Sequence, residues 1–331
     1  MKKRILTIML TFTMISALVA GCGSSSDDSN EASEGGELQR YSLGAAGSGG
    51  TFYVWGAGWS SVINSNIGDQ YDVSVLTTGG PQQNCDLLHT NECQLGFSTA
   101  FVAADSYNGI STSEKYTDLR VLFPMYSSYL NVFTLADSDI NSFEDMNGKH
   151  IGTGTPGGSS QIVGDAIISD FGLKPREASA LDLSAVIDGM KDGSIDAGFA
   201  VSSLPVPALT ELEASNEIKL IPFTDEQLKL LMDEGKYTQG TIPAGTYKGQ
   251  EEDVDTLTFW TLCLTNDEMS DDDAYNLTKA TFEYLEQIGE AVGSTDEVLE
   301  ENILNSPIPL HPGAIKYYEE KGVEIPDELQ P

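Results

Sequence analysis

The sequence predicts an α/β protein of two lobes with a cleft between them. Three observations carry that prediction. Strand-like and helix-like segments alternate in two separate runs. Extended apolar segments join the runs. Glycine-rich turns recur between a strand and the helix after it, where sheets of this kind hold ligands at the carboxyl ends of their strands.

The first run opens with "LQRYSLGAA" as a strand and "FYVWGAGWSSVINSN" as a helix. Trp55 and Trp59 are four apart, so they share a helical face and are expected in the core. "YDVSVLTT" is the second strand, and "PQQNCDLLHT" a helix with Pro81 in its first turn. "CQLGFST" is the third strand, and "AFVAADSYNG" a helix ending at Gly109. This β-α-β-α-β order predicts a parallel sheet flanked by helices. Next, "LRVLFPMY" and "YLNVFTLA" read as two apolar strands.

The second run repeats the pattern. "SFEDMNG" reads as a short helix, "KHIGTGT" as a strand, and residues 159–172 as a helix. "LSAVIDGMKDG" is another helix, "IDAGFAVS" a strand, "VPALTELEAS" a helix and "IKLIPF" a strand. Later, "TLTFWTLCLT" is a long strand, "DDAYNLTKATFEYLEQIGEAV" a single helix, and the end is helical. Lobe I is expected at 38–130 plus 258–331 and lobe II at 131–257, with strands near 129–136 and 241–257 as hinges.

The first residues point to export. "MKKRILTIMLTFTMISALVAGC" has three basic residues, an apolar run and small residues before Cys22. This is a secretory signal peptide over residues 1–21; its apolar run is short against the ~20 residues of a bilayer span. "LVAGC" resembles a bacterial lipobox, which implies cleavage before Cys22, a diacylglycerol on its thiol, and a protein held outside the cytoplasm on the cell membrane. Residues 22–37 are Ser, Gly and acid with almost nothing apolar, so they read as a flexible tether.

With 51 acidic against 17 basic residues the chain carries −34, and loss of Lys2, Lys3 and Arg4 with the leader makes it −37. Nucleic acid is thereby excluded as a partner, because phosphate attraction needs a basic surface. The excess acid reads as solubility outside the cell. Beyond Cys22 the cysteines are Cys85, Cys93 and Cys263. Small buried thiols are the default, and an oxidising compartment leaves a Cys85–Cys93 bridge open. His89, His150 and His311 show no paired-ligand spacing, so no metal is expected.

Five loops should border the cleft: 45–53, 77–84, 97–99, 153–160 and 201–205. "GAAGSGGTFY", "TTGGPQQN" and "TPGGSS" are alike: glycines admit a ligand to backbone N–H groups, and the helix start behind them favours negative charge. Ser48, Thr51, Ser159 and Ser160 add hydroxyls, and Gln83 and Asn84 add amides. None of Arg40, Arg120 and Arg176 lies in these loops. A carboxylate there would meet N–H and O–H donors rather than cations. Phe52 and Tyr53 could pack on its carbon chain. The plainer alternative is a set of ordinary βα turns with N-caps.

Enzyme and nucleotide readings fare worse. Gly152, Gly154 and Gly157 spell G-x-G-x-x-G, but the acid expected ~20 residues on at a strand end is absent, and no P-loop Lys follows. G-x-S-x-G does not occur, and Ser48, Ser159 and Ser160 lack an evident base. No cofactor is expected. Asp271, Asp272 and Asp273 follow Ser270 at a helix start, where they complement the dipole and lack calcium-loop spacing.

Taken together, six segments resemble the TAXI family, the solute-binding receptors of TRAP transporters: "SLGAAGSGGTFYVWGAG", "VSVLTTGGPQQNCDLL", "DMNGKHIGTGTPGGSS", "MKDGSIDAGFAVSSLPVPAL", "IPAGTYKGQEEDVDTL" and "PLHPGAIKYYEEKG". The resemblance implies a two-lobed periplasmic-binding-protein fold, type II-like, that closes on a small acidic solute such as glutamate or 2-oxoglutarate. It also implies delivery to a sodium-coupled TRAP permease, and a receptor rather than an enzyme. Carried over, ligand contacts fall on Thr51, Phe52, Tyr53, Thr78, Gly79, Gln83, Asn84, Gly157, Gly158, Ser159 and Ser160, with Ser98, Thr99 and Pro205 behind them. Departures exist: the second-lobe loop reads P-G-G-S-S instead of P-G-S-G-T, Gln94 stands in place of an Asp, and Ser98 and Thr99 replace Gln or Asp. These leave room for a solute other than glutamate. The alternatives are a secreted hydrolase or transferase on the same fold, and an adhesin-like surface protein.

Overall fold

The computed structural model describes residues 38–331 apart from 49, 234–236 and 294. The expected signal peptide and tether, with Cys22, lie outside the described residues. The first run forms β1 (Gln39–Gly44), α1 (Thr51–Asn66), β2 (Tyr71–Leu76), α2 (Pro81–His89), β3 (Leu95–Thr99) and α3 (Ala100–Asn108). Then β4 (Leu119–Leu135) runs unbroken where the sequence reads two strands. Pro124 and the polar pair Ser127 and Ser128 suggest a break. The partner strand pairs straight past them and absorbs the irregularity as a register shift near Pro124.

The second run forms β5 (His150–Gly152), α4 (Ser159–Asp170), β6 (Glu177–Ser179), α5 (Leu183–Asp192), β7 (Ala197–Ser202), α6 (Pro207–Leu212) and β8 (Ile218–Leu220). After it come α7 (Asp225–Met232), β9 (Thr238–Ile242), β10 (Val254–Asn266), α8 (Asp271–Glu283), α9 (Leu285–Val292) and α10 (Pro312–Glu320). The sequence reading omitted β6, α7 and β9 and joined α8 to α9. A reciprocal capping box between Thr224 and Gln227 starts α7. The long helix leaves helical dihedrals at Tyr284, with φ −107° and ψ 21°.

The strands follow the order β2-β1-β3-β10-β4-β7-β5-β6, with β8 on β4 and β9 on β10. One plan occurs twice. β2-β1-β3 are parallel and meet antiparallel β10; β6-β5-β7 are parallel and meet antiparallel β4. Phe133 of β4 pairs Gly198 of β7 and Leu220 of β8, so β4 is an interior strand of the second half. A Cβ on Gly198 would lie 2.6 Å from the Phe133 ring, which is why this strand position carries glycine. β4 and β10, paired from Asn266↔Leu119 to Thr258↔Tyr129, run through both halves.

Each half has its own aromatic packing. Trp55 and Trp59 are buried as expected, against Phe97 at 5.5 Å and Phe123 at 5.7 Å. The Trp59 indole N–H donates to Thr281 at 2.9 Å and ties α1 to α8. In the other half Phe143 meets Phe171 edge to face and Phe223 at a tilt. Burying one such side chain stabilises the fold by ~1.5–3 kcal/mol. Cys85, Cys93 and Cys263 are free and buried, and burial pushes the Cys85 thiol up to about 12 and Cys93 up to about 11.

Candidate functional site: a cavity ringed by helix starts

Each of the six helices α1 to α6 begins at one cavity of about 440 Å³. Their N-cap residues Gly50, Gly80, Thr99, Gly158, Asp182 and Val206 all line it. The first amides of α1, α2, α3 and α4 take no cap from an N-cap side chain. Backbone N–H groups left free at a helix start, with the dipole behind them, are receptive to an anion. At α5, Asp182 accepts from the Ala185 N–H at 2.8 Å. Phe52, Tyr126 and Phe199 add apolar wall.

Local chemistry holds the loops in place. The Asn84 amide donates to the Ala45 and Phe97 carbonyls, both at 2.7 Å, and accepts from the Thr78 hydroxyl at 2.7 Å. One buried side chain thus pins the ends of β1, β2 and β3 together. Gln83 accepts from the Gly79 N–H at 2.6 Å. In the second half, Gly154 has φ 108°, and Gln161 accepts from the Gly157 N–H at 2.7 Å. Ser160 accepts from the Val201 N–H at 2.9 Å, coupling the α4 start to β7.

The two halves touch around the cavity. Thr51 of α1 and Ser202 of β7 share a hydrogen bond of 2.7 Å between hydroxyls. Thr99 of β3 and Ser159 of α4 share another of 3.1 Å. A Cβ on Gly79 would lie 3.3 Å from the Pro156 carbonyl oxygen. Among the described lining residues there is no Lys, Arg or His, and Asp182 is the one charged side chain.

All five loops named from the sequence contribute to the lining. Thr51, Phe52, Gly79, Thr99, Gly158, Ser159 and Ser160 border the cavity. Thr78, Gln83, Asn84, Ser98 and Gly157 stand behind it, and their groups shape the loops. Tyr53 packs on the core, and exposed Pro205 follows a cis peptide bond beside the lining residues Val206 and Pro207. The sequence reading missed Asp182, Leu183 and Ser184. Their turn follows β6, a strand of three residues with no apolar alternation. The "DLS" start, an Asp in N-cap position before the apolar helix, is the signal that could have found it. Tyr126 and Ser128 were missed because they belong to a strand interior, on β4.

No histidine takes part. His89 bonds Asp118 at 2.8 Å and stacks on Tyr116 at 3.9 Å. His150 bonds the Ser194 carbonyl and the Ser179 hydroxyl. His311 caps α10, accepting from the Gly313 N–H at 3.1 Å.

Two α/β halves of one strand plan, enclosing a cavity ringed by helix starts, define the fold of two-lobed periplasmic binding proteins. The chain belongs to the NMT1-like family, a type of periplasmic solute-binding protein, whose sequence profile matches residues 43–322. Among solved structures it is similar to a protein of Bordetella bronchiseptica RB50, 17% identical with a TM-score of 0.51, over 87% of this chain and 85% of that one. A further similarity is to a structure from glutathione import through GshT and the cystine ABC importer TcyBC of Streptococcus mutans: 16% identity, TM-score 0.49, covering 78% and 96%. The alkanesulfonate-binding protein SsuA of Xanthomonas axonopodis pv. citri, bound to MOPS, gives 12%, 0.44, 87% and 81%. At 17% identity the likeness to the Bordetella protein is one of fold.

Proposed function

We propose that the protein is an extracytoplasmic receptor that closes on a small carboxylate-bearing organic solute and hands it to a membrane permease without changing it. The observation that carries this reading is the convergence of uncapped helix starts from both halves on one cavity without a cation in its described lining. The solute's carboxylate accepts hydrogen bonds from the first amides of α1 and α4 and from the hydroxyls of Thr51, Ser159 and Ser160. Its carbon chain lies on Phe52. Because contacts come from both halves, a bound solute favours the closed state by its extra contacts there. Lobe boundaries at 130/131 and 257/258, within the paired strands β4 and β10, suit such a hinge.

The six TAXI-like segments support an acidic solute of the glutamate or 2-oxoglutarate class and a sodium-coupled TRAP permease as partner. The leader and "LVAGC" support a diacylglycerol anchor on Cys22. The hydrolase or transferase alternative loses ground at the site. Thr51 pairs with Ser202 and Ser159 with Thr99, hydroxyl to hydroxyl, and no histidine borders the cavity. A serine nucleophile needs an adjacent base.

The test is a tryptophan-fluorescence titration with organic acids and amino acids, followed by NMR of the incubated mixture. Saturable binding with the solute recovered intact is expected. Conversion of a bound solute would move the protein to the enzyme class.

A further inference from the structure

Resting on the receptor reading above, we infer that Asp182 makes the cavity select a solute carrying a cationic group beside its carboxylate, and reject one with a second carboxylate at that end. The charge inventory points there. Asp182 is the single charged side chain among the described lining residues. An anionic ligand part placed near it would be repelled with no lysine, arginine or histidine in the lining to offset it. Asp182 is exposed, and an ammonium there would gain a charge-assisted hydrogen bond.

The cavity also combines two kinds of helix start. At α1, α2, α3 and α4 no N-cap side chain occupies the first amides. At α5 the Asp182 carboxylate does so, through Oδ1 on the Ala185 N–H at 2.8 Å. That bond uses one of the roughly four lone-pair sites of a carboxylate, so the group keeps accepting capacity. Asn or Ser would cap α5 about as well. The negative charge is therefore more than the cap requires, and it lines the same cavity as the uncapped starts that suit a carboxylate. A zwitterion matches both ends. A dicarboxylate or a 2-oxo acid matches one.

The experiment is calorimetry with matched pairs of equal carbon skeleton, an α-amino acid and its 2-oxo acid, on the wild-type protein and on Asp182→Asn. Asn retains the cap and removes the charge. In the wild type the amino acid of the best pair should bind at least ~10-fold tighter than its oxo acid. In Asp182→Asn the ratio should fall to within about threefold, by weakening of the amino acid. A wild type that prefers the oxo acid or a dicarboxylate overturns the inference and leaves the receptor reading standing. An amino-acid to oxo-acid ratio unchanged in Asp182→Asn overturns it too, because the charge then plays no part in the selection. No binding of any member by the folded wild type removes the receptor reading and the inference together.

Discussion

The hydroxyls of Thr51 and Ser202 meet at 2.7 Å, joining the first residue of α1 to the last residue of β7 across the cavity. On the receptor reading, this bond forms when the halves come together on the solute. Thr51→Val, close in shape, should weaken solute binding about 2- to 10-fold, the range of a net hydrogen bond of ~0.5–1.5 kcal/mol. Ser202→Ala should do the same, and the double variant should lose little more than either single. Calorimetry on the three variants checks this. Additive losses would mean that each hydroxyl acts independently.

Asn84 makes a different prediction. It is fully buried and its side chain holds three partners on three loops. Asn84→Ala leaves the Ala45 and Phe97 carbonyls and the Thr78 hydroxyl without it, and buried groups left unpaired cost ~1–3 kcal/mol each. Urea unfolding should show a loss of about 3 kcal/mol, at the high end for a single substitution. An affinity loss without a stability loss would show that Asn84 contacts solute instead.

Gly154 is needed for two reasons. Its φ is 108°, and a Cβ there would lie 2.4 Å from Ser160 Cβ. Since Ser160 also holds β7, Gly154→Ala should displace the α4 start and lower affinity at least ~10-fold, with ~1–3 kcal/mol of strain. Gly172 offers the control: φ is 62°, but nothing lies within 4 Å of its added Cβ. Gly172→Ala should cost ~1 kcal/mol from backbone strain alone and leave affinity unchanged.

Two histidines give opposite pH slopes. Burial holds the His311 pKa below its ordinary value, against the bond to the Met269 carbonyl and nearby Asp271. Below the unfolded pKa of ~6.5, the unfolded chain takes up a proton that the folded chain refuses, so His311 lowers stability as pH falls. For His89, burial lowers the pKa, but the hydrogen bond and charge of Asp118, with Glu114, raise it on balance. Its contribution is present below ~6.5 and is lost as pH rises through the raised folded value. Unfolding of His311→Asn and His89→Gln between pH ~5 and ~8 should show stability differences from wild type that change in opposite directions.

How much of this was legible in the sequence follows from the physics of each element. The parallel βα turns announced themselves through glycines, Pro81 and apolar strands, so five loops at the cavity could be named. Trp55 and Trp59 were placed by helical spacing. β6 was hidden because three residues are too few to show a period, and with it the Asp182 turn was lost. The unbroken β4 was hidden because Pro124 and two serines look like a boundary unless β10 is known to run alongside. The roles of Asn84, Gln83 and Thr78 behind the lining depend on contacts that no local pattern encodes.

Calorimetric titration of the folded mature protein with a panel of small organic acids, amino acids, sugars and amines tests the central claim most directly. The account predicts one-to-one saturable binding of a carboxylate-bearing solute, weakened at least ~10-fold by Gly154→Ala and unchanged by Gly172→Ala. Tight binding confined to uncharged or purely cationic compounds, indifferent to Gly154→Ala, would contradict it.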